Sequence, residues 1–153
     1  MRKSWGIEYE NHHCKHPFSL LIMSCATVHN SSVLYREYSQ YQEVANKNNI
    51  VEMAENFFSP NLLGTNYQTN PDAVNQLLFK NYMANISSHH EKVDEIGSCL
   101  TINGYDEERF PLIFSLKYIL LNGHWLIDNI HVVFVENESD FSNNAKCPSE
   151  YPN

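Results

Sequence analysis

The chain has 153 residues, and its 10 Lys and Arg against 18 Asp and Glu give a formal net charge of −8. This length is enough for one domain with a substantial apolar core, so the fold needs neither a metal ion nor a second domain for stability. The acidic balance and the lack of any Lys/Arg cluster predict no binding to nucleic acid.

The first segment with a recognisable pattern is the apolar run 17–23, which is followed by Ser24 and Cys25. An aliphatic residue, Ile22, stands three before Cys25, and a small one stands directly before it, so the stretch resembles the lipobox of bacterial lipoproteins. The resemblance implies a signal segment at 1–24 and a linker at 25–30, with Cys25 as the lipidated first residue of the mature chain.

Such a protein would lie in the bacterial envelope or periplasm and would touch the membrane only through its lipid anchor. The alternative is a cytoplasmic protein in which residues 17–25 form an ordinary buried strand or an irregular segment.

Three amphipathic helices are predicted after this segment, because apolar residues recur three and four positions apart. The first follows a cap in the Ser31-Ser32 pair, the second begins with a capping box at Asn49, and the third begins at Pro71. Their apolar faces are Leu34, Tyr38, Tyr41 and Ala45 in the first, Ile50, Ala54, Phe57 and Phe58 in the second, and Val74, Leu77, Leu78, Tyr82 and Ile86 in the third. Residues 59–70 suit a short turn or an edge strand, and the third helix frays at 87–90.

From residue 92 the pattern changes from helical to extended and predicts strands at about 92–103, 110–121 and 125–136. Asn122-Gly123 suits a type I′ turn between the last two strands. The prediction is an α+β fold in which three N-terminal helices pack on a curved antiparallel sheet. We expect Trp125 to be largely buried in the core, and the polar tail 137–153 to be irregular and held chiefly near Cys147.

The order of these elements and the motif at the last turn resemble the nuclear-transport-factor-2-like superfamily over about residues 31–136. The motif reads G-x-W-x-I-D-x-I and is carried by Asn122, Gly123, Trp125, Ile127, Asp128 and Ile130. The resemblance implies a cone-shaped α+β barrel with a pocket at its open end. Members of the superfamily include isomerases, dehydratases, transport adaptors and small secreted or lipid-anchored proteins, so the fold does not decide the activity.

Enzymes of that superfamily place an Asp, His or Tyr in the pocket for proton transfer. The candidates here are Asp128, His131, Tyr118 and Tyr82. No cofactor motif occurs, and the histidines at 12, 13, 16, 89 and 90 lack the paired spacing of metal ligands, so we expect neither cofactor nor metal.

Without a clear acid/base pair, the favoured function is noncatalytic binding of a small apolar ligand or of another protein. The cone pocket or the sheet face would form the site, and a homodimer through the sheet face belongs to the same prediction. The alternative is a small isomerase or hydro-lyase that uses an Asp or His in the pocket.

The four cysteines lead to one further prediction. If Cys14 is removed with the leader and Cys25 carries the lipid, Cys99 and Cys147 remain as an even pair for a disulfide in an oxidising compartment. The alternative is two unrelated free thiols.

Overall fold

The sheet and the helices are seen in a computed structural model that describes residues 32–94 and 97–151. Its helices are α1 (Val33–Val44), α2 (Ile50–Met53), α3 (Pro60–Leu63) and α4 (Ala73–Leu77), and its strands are β1 (Asn85–Lys92), β2 (Ser98–Tyr105), β3 (Pro111–Leu121) and β4 (His124–Phe134). The strands form one antiparallel sheet in the order β1-β2-β3-β4, so the α+β class is confirmed. Cys14, Cys25 and the predicted signal segment lie outside the described residues.

The two faces of the sheet are covered by different parts of the chain. The core face carries alternate residues of β2 and β3 and packs against α1, with Leu100, Ile102, Leu112, Phe114 and Leu116 fully buried. The outer face carries the intervening residues, which include Cys99, Thr101, Asn103 and Ser115.

Helix α1 lies where the sequence predicts it, with Leu34 fully buried, but its first turn is capped from elsewhere in the chain. The Ser32 side chain makes no capping bond. Instead, the Glu91 carboxylate of β1 accepts hydrogen bonds from the backbone N–H groups of Val33, Leu34 and Tyr35 at 2.8, 2.9 and 3.2 Å, and from the Ser32 hydroxyl. A negative group at the N-terminus of a helix also interacts favourably with the positive end of the helix dipole. Glu91 therefore fastens α1 to the sheet.

A cluster of aromatic rings fills the space between α1 and the sheet. Phe79 lies at its centre, with ring centroids 5.4 Å from Tyr41, 6.3 Å from Tyr38, 6.4 Å from Phe58 and 5.3 Å from Phe114. All five side chains are at most 3 % exposed. Packing of this kind is the main source of stability in the core.

The second and third predicted helices are much shorter than expected. Helices α2, α3 and α4 have four or five residues each and are separated by 3₁₀ turns. The capping box at Asn49 does not form, since its side-chain oxygen accepts instead from the Asn46 N–H at 2.8 Å. Residues 59–70, predicted as a turn or an edge strand, contain α3 and a 3₁₀ turn at Tyr67–Thr69.

The predicted fraying of the third helix at 87–90 is wrong, because these residues belong to strand β1. The helical pattern ends at the 3₁₀ turn Phe79–Tyr82, after which the Ala84 N–H bonds to the Tyr105 carbonyl at 2.8 Å. Strand β1 is polar, and its pairing with β2 rather than its own hydrophobicity defines it.

The hairpin of β3 and β4 agrees with the prediction at its turn and departs from it in the second arm. Asn122 and Gly123 have φ values of 51° and 82°, as a type I′ turn requires. The pairing shifts by one residue between Lys117 and Tyr118, which leaves Asp128 as an extra residue in β4. Trp125 is half-buried and packs on the core, so its expected burial is only partly met.

The tail after β4 runs across the outer face and bonds to every second residue of β2. The Asn103 side chain donates to the Ser142 carbonyl at 2.9 Å and accepts from the Ser142 N–H at 3.1 Å. The Thr101 hydroxyl likewise accepts from the Lys146 N–H at 2.8 Å and donates to its carbonyl at 3.3 Å. The tail is irregular, as expected, but it is held along its length.

The next outer-face residue of β2, Cys99, forms a disulfide with Cys147, and their Cα atoms are 5.2 Å apart. This is the pair that the placement of the cysteines predicts. Beyond it, Tyr151 accepts a hydrogen bond of 2.9 Å from the Ser115 hydroxyl and stacks on His131, with ring centroids 4.3 Å apart. The tail therefore occupies the middle of the face through which a homodimer was expected, and dimerisation stays a prediction.

Candidate functional site

Several cavities adjoin the tip of the β3–β4 hairpin, and two of them lie on opposite faces of it. The larger has a volume of about 520 Å³ and lies between α3 and the hairpin tip. Its apolar lining residues are Phe58, Pro60, Leu63, Tyr67, Leu121 and Leu126, and the other side chains of the lining are polar. We call it the outer groove.

Short pairing between residues 57–59 and β4 positions the floor of the outer groove. The Ile127 N–H donates to the Phe57 carbonyl at 2.8 Å, and the Ser59 N–H donates to the Ile127 carbonyl at 2.9 Å. The Ser59 hydroxyl then caps α3 by accepting from the Leu62 N–H at 3.1 Å. Helix α3 ends at Gly64, whose φ of +66° disfavours residues with a side chain. The turn-rich stretch 59–70 is therefore one wall of the groove.

Asp128, a candidate base, is engaged in holding this wall to the sheet. Its carboxylate is 9 % exposed and accepts hydrogen bonds from the Ser59 hydroxyl at 2.7 Å, from the Lys117 ammonium at 3.1 Å and from the Asn61 amide at 3.4 Å. Burial by itself raises the pKa of Asp128, but the bonds from Ser59 and Lys117 and the Lys117 charge outweigh it and hold the pKa below its ordinary range. The carboxylate stays ionised and has partners on both oxygens.

We expect Asp128→Asn to lower the free energy of unfolding at neutral pH by about 1 to 2 kcal/mol, because a charged acceptor is lost while the shape is kept. The folded-state pKa lies below the ordinary value of 3.8, so the stabilisation is complete above that value. It disappears as the pH falls through the folded-state pKa.

Urea unfolding of the wild type and Asp128→Asn at several pH values measures this difference. The exposed Asp72→Asn serves as the matched control and should show little effect. A difference between Asp128→Asn and wild type that is the same in acid as at neutral pH would contradict the role of the charge.

The smaller cavity lies on the core face of the hairpin, between it and α1, and has a volume of about 170 Å³. Trp125, Tyr118, Tyr41 and Phe57 line it together with Glu37 and other residues. We call it the inner pocket. It is the one cavity among those around the hairpin tip that has α1 as a wall.

Tyr118 is the one candidate for proton transfer that lines the inner pocket, whereas the others lie elsewhere. Its side chain is 2 % exposed, and burial, followed by the charge of the neighbouring tyrosines and of Glu37, holds the pKa of its hydroxyl well above the ordinary range. His131 lies on the outer face under Tyr151, and Tyr82, the last residue of the 3₁₀ turn Phe79–Tyr82, is 55 % exposed. The four candidates are not brought together.

Two further findings apply to residues 32–94 and 97–151. They contain no group of three or more His, Cys, Asp or Glu side chains that could hold a metal ion. They also contain no helix with the length and apolar character needed to cross a membrane. Comparisons with protein-family models, curated proteins and solved structures found no match to the chain.

Sequence reasoning missed most residues of both cavities. Leu63, Gly64 and Tyr67 lie in a stretch whose turn residues gave no sign of a wall, and Glu37 lies on a helix face that looks solvent-exposed in the helical pattern. The lining residues that the sequence did indicate were not indicated as members of a cavity: Tyr41, Phe57 and Phe58 on apolar helix faces, Asn122, Trp125 and Ile127 in the turn motif, and Tyr118 as a candidate for proton transfer.

Proposed function

We propose that the protein is a noncatalytic binding protein that takes a small apolar ligand in the outer groove. The observation that carries the proposal is the groove itself, since its 520 Å³ lies within the size range of small-molecule sites and most of its wall is apolar. Polar residues of the lining, such as His124 and Asn56, would orient the ligand.

The placement of the candidate acids and bases supports binding over catalysis. Proton transfer requires a titratable group within reach of the substrate and a pKa near the working pH. Asp128 has partners on both oxygens and a lowered pKa, and the pKa of Tyr118 is raised far from neutrality.

A cone-shaped fold like that of the nuclear-transport-factor-2-like superfamily is part of the proposal. Support comes from the helices preceding the sheet, from the antiparallel order of the strands and from the aromatic cluster between α1 and the core face. The bulge at Asp128 gives β4 the kind of local bend that a curved sheet needs.

Export to the bacterial envelope, with Cys25 lipidated, completes the proposal. The disulfide between Cys99 and Cys147 supports it, because such bonds persist mainly in oxidising compartments. The lipid would hold the domain at the membrane surface, where apolar ligands are plentiful.

Leu121 and Leu120 allow a matched test of the outer groove, since they are neighbours on opposite faces of the hairpin. Leu121 lines the groove and is 38 % exposed, while Leu120 does not line it and is 57 % exposed. We expect the wild type to bind the apolar fluorescent probe N-phenyl-1-naphthylamine saturably. Leu121→Lys should weaken this binding about tenfold, because a charge then stands in the apolar wall.

A fluorescence titration of the three proteins gives the affinities, and the thermal unfolding of each confirms that it is folded. Leu120→Lys should bind the probe as the wild type does. Absence of saturable binding to the wild type, or an equal loss in both variants, would show that the outer groove is not the site.

A further inference from the structure

Strand β4 lies at one edge of the sheet, and only the part before its bulge is covered there. The Ile127 N–H and carbonyl bond to the backbone of residues 57–59. Beyond Asp128, the only described residues whose backbone groups bond to β4 are those of β3. Residues 130–134 are therefore an open edge within the part of the chain that the structure describes, and we call them the β4 edge.

The backbone of the β4 edge has outward-pointing groups at every second residue. The Val135 N–H donates to the Pro111 carbonyl of β3 at 3.0 Å. Because backbone groups alternate in direction along an antiparallel strand, residues 131 and 133 also bond to β3. The N–H and carbonyl groups of Ile130, Val132 and Phe134 then point away from the sheet. These are the donors and acceptors that a further strand uses when it pairs with an edge.

The side chains of the β4 edge also suit pairing. Phe134 is 55 % exposed, and Ile130 and Val132 are only partly buried on the core face. Sheet edges that stay unpaired commonly carry charged residues or proline, but residues 129–135 contain no Lys, Arg, Asp, Glu or Pro. The opposite edge, β1, is mostly polar and carries Glu91 and Lys92. The two edges therefore differ, and β4 is the one that lacks protection.

A second copy of this chain fits the β4 edge without opposed charges. A twofold axis at Val132 would place Ile130 opposite the partner's Phe134 and Val132 opposite its own counterpart, so that apolar side chains meet on the core face. This ladder ends before Asp128 and Glu136, which matters because each copy has a net charge of −8. A basic peptide, by contrast, would find no carboxylate in residues 129–135.

We propose that the protein forms a homodimer in which two β4 edges pair antiparallel and join the two sheets into one. The interface is the edge of the sheet and not its outer face, which the tail occupies. Because the contact is the same on both copies and leaves only the β1 edges free, assembly stops at the dimer. So short a ladder buries less surface than a standard interface, and we expect a dissociation constant of about 100 μM.

Sedimentation equilibrium of the full chain between about 10 μM and 1 mM measures the association. The buffer contains about 0.5 M NaCl to screen the repulsion between two acidic copies. We expect a reversible monomer–dimer equilibrium, which Phe134→Lys should weaken at least tenfold because it places a charge against the partner's Ile130. Leu120→Lys introduces the same charge at a side chain that is 57 % exposed on a central strand, and it should dimerise as the wild type does.

Circular dichroism confirms that both variants are folded. A wild type that stays monomeric up to 1 mM would overturn the proposal, as would an equal weakening in the two variants. The result does not depend on the outer groove, since none of the described lining residues of the groove lies within 130–134.

Amide hydrogen exchange measured by NMR locates the interface in the unaltered protein. The amides of Ile130, Val132 and Phe134 should exchange about threefold more slowly at 1 mM than at about 50 μM, because a smaller share of the chains is then monomeric. The amides of His131 and Val133 bond to β3 and should change little. Exchange at 130, 132 and 134 that is independent of concentration, or a slowing shared equally by 131 and 133, would overturn the proposal.

Discussion

Cys147→Ser is expected to lower the free energy of unfolding by about 4 kcal/mol, one of the two largest effects of a single substitution predicted for this protein. The disulfide joins residues 48 positions apart, and opening a loop of that length restores much conformational freedom to the unfolded chain. Urea unfolding of the wild type, with and without a reducing agent, and of the variant measures the effect.

Reduced wild type should match Cys147→Ser, because both lose the same link. The exposed Ser149→Ala, two residues further along the tail, is the control and should stay within about 0.5 kcal/mol of the wild type. A loss below about 1 kcal/mol would contradict the expected effect of the cross-link on the unfolded chain.

The intact mass of protein taken from bacterial envelopes shows in one measurement whether the disulfide is formed and at which residue the chain begins. We expect a chain that starts at a lipid-modified Cys25 and is lighter by two hydrogens than its dithiol form. Cytosolic protein that retains residues 1–24 and has freely alkylated thiols at 99 and 147 would contradict export.

Phe79→Ala is expected to cost about 3 to 5 kcal/mol, because it empties the centre of the aromatic cluster. Phe79 is 3 % exposed and contacts rings from α1, from the segment before α3 and from β3. The four surrounding rings belong to different elements, so they cannot all move inward to fill the space. Thermal or urea unfolding gives the value.

Two controls separate the packing from the mere loss of an aromatic residue. Phe79→Leu keeps most of the volume and should cost no more than about 1.5 kcal/mol. Tyr82→Ala removes a ring that is 55 % exposed three residues later and should change stability by about 0.5 kcal/mol or less. If Phe79→Ala were no worse than Tyr82→Ala, the cluster would not be the centre of the core.

Strongly periodic or locally determined features could be predicted from the sequence. The first helix follows from the spacing of Leu34, Tyr38 and Tyr41, and the last hairpin follows from Asn122-Gly123. The disulfide could be predicted without any spatial information, because the proposed removal of Cys14 and lipidation of Cys25 leave Cys99 and Cys147 as the remaining pair.

Features decided by distant contacts could not be predicted. Strand β1 is polar, and its pairing with β2 and its cap on α1 through Glu91 become visible only in three dimensions. The inner pocket likewise joins Glu37 to Trp125, which are far apart in the chain. The extra residue at Asp128 also exchanges the two faces of β4, and the sequence pattern does not show it.

That extra residue also determines where β4 tolerates a change in length. Ile127 is opposite Tyr118 and Asn129 is opposite Lys117, so Asp128 alone has no opposite residue on β3. The parts of β4 before and after residue 128 are each already paired with β3. A deletion of residue 128 would therefore join them into one regular ladder, with Trp125, Ile130 and Val132 still facing the core. A deletion of either neighbour would instead draw Asp128 into the ladder. A deletion in this strand is therefore least disruptive at Asp128, whose carboxylate helps to hold the wall of the outer groove to the sheet, so the groove can be reshaped while the core is left intact.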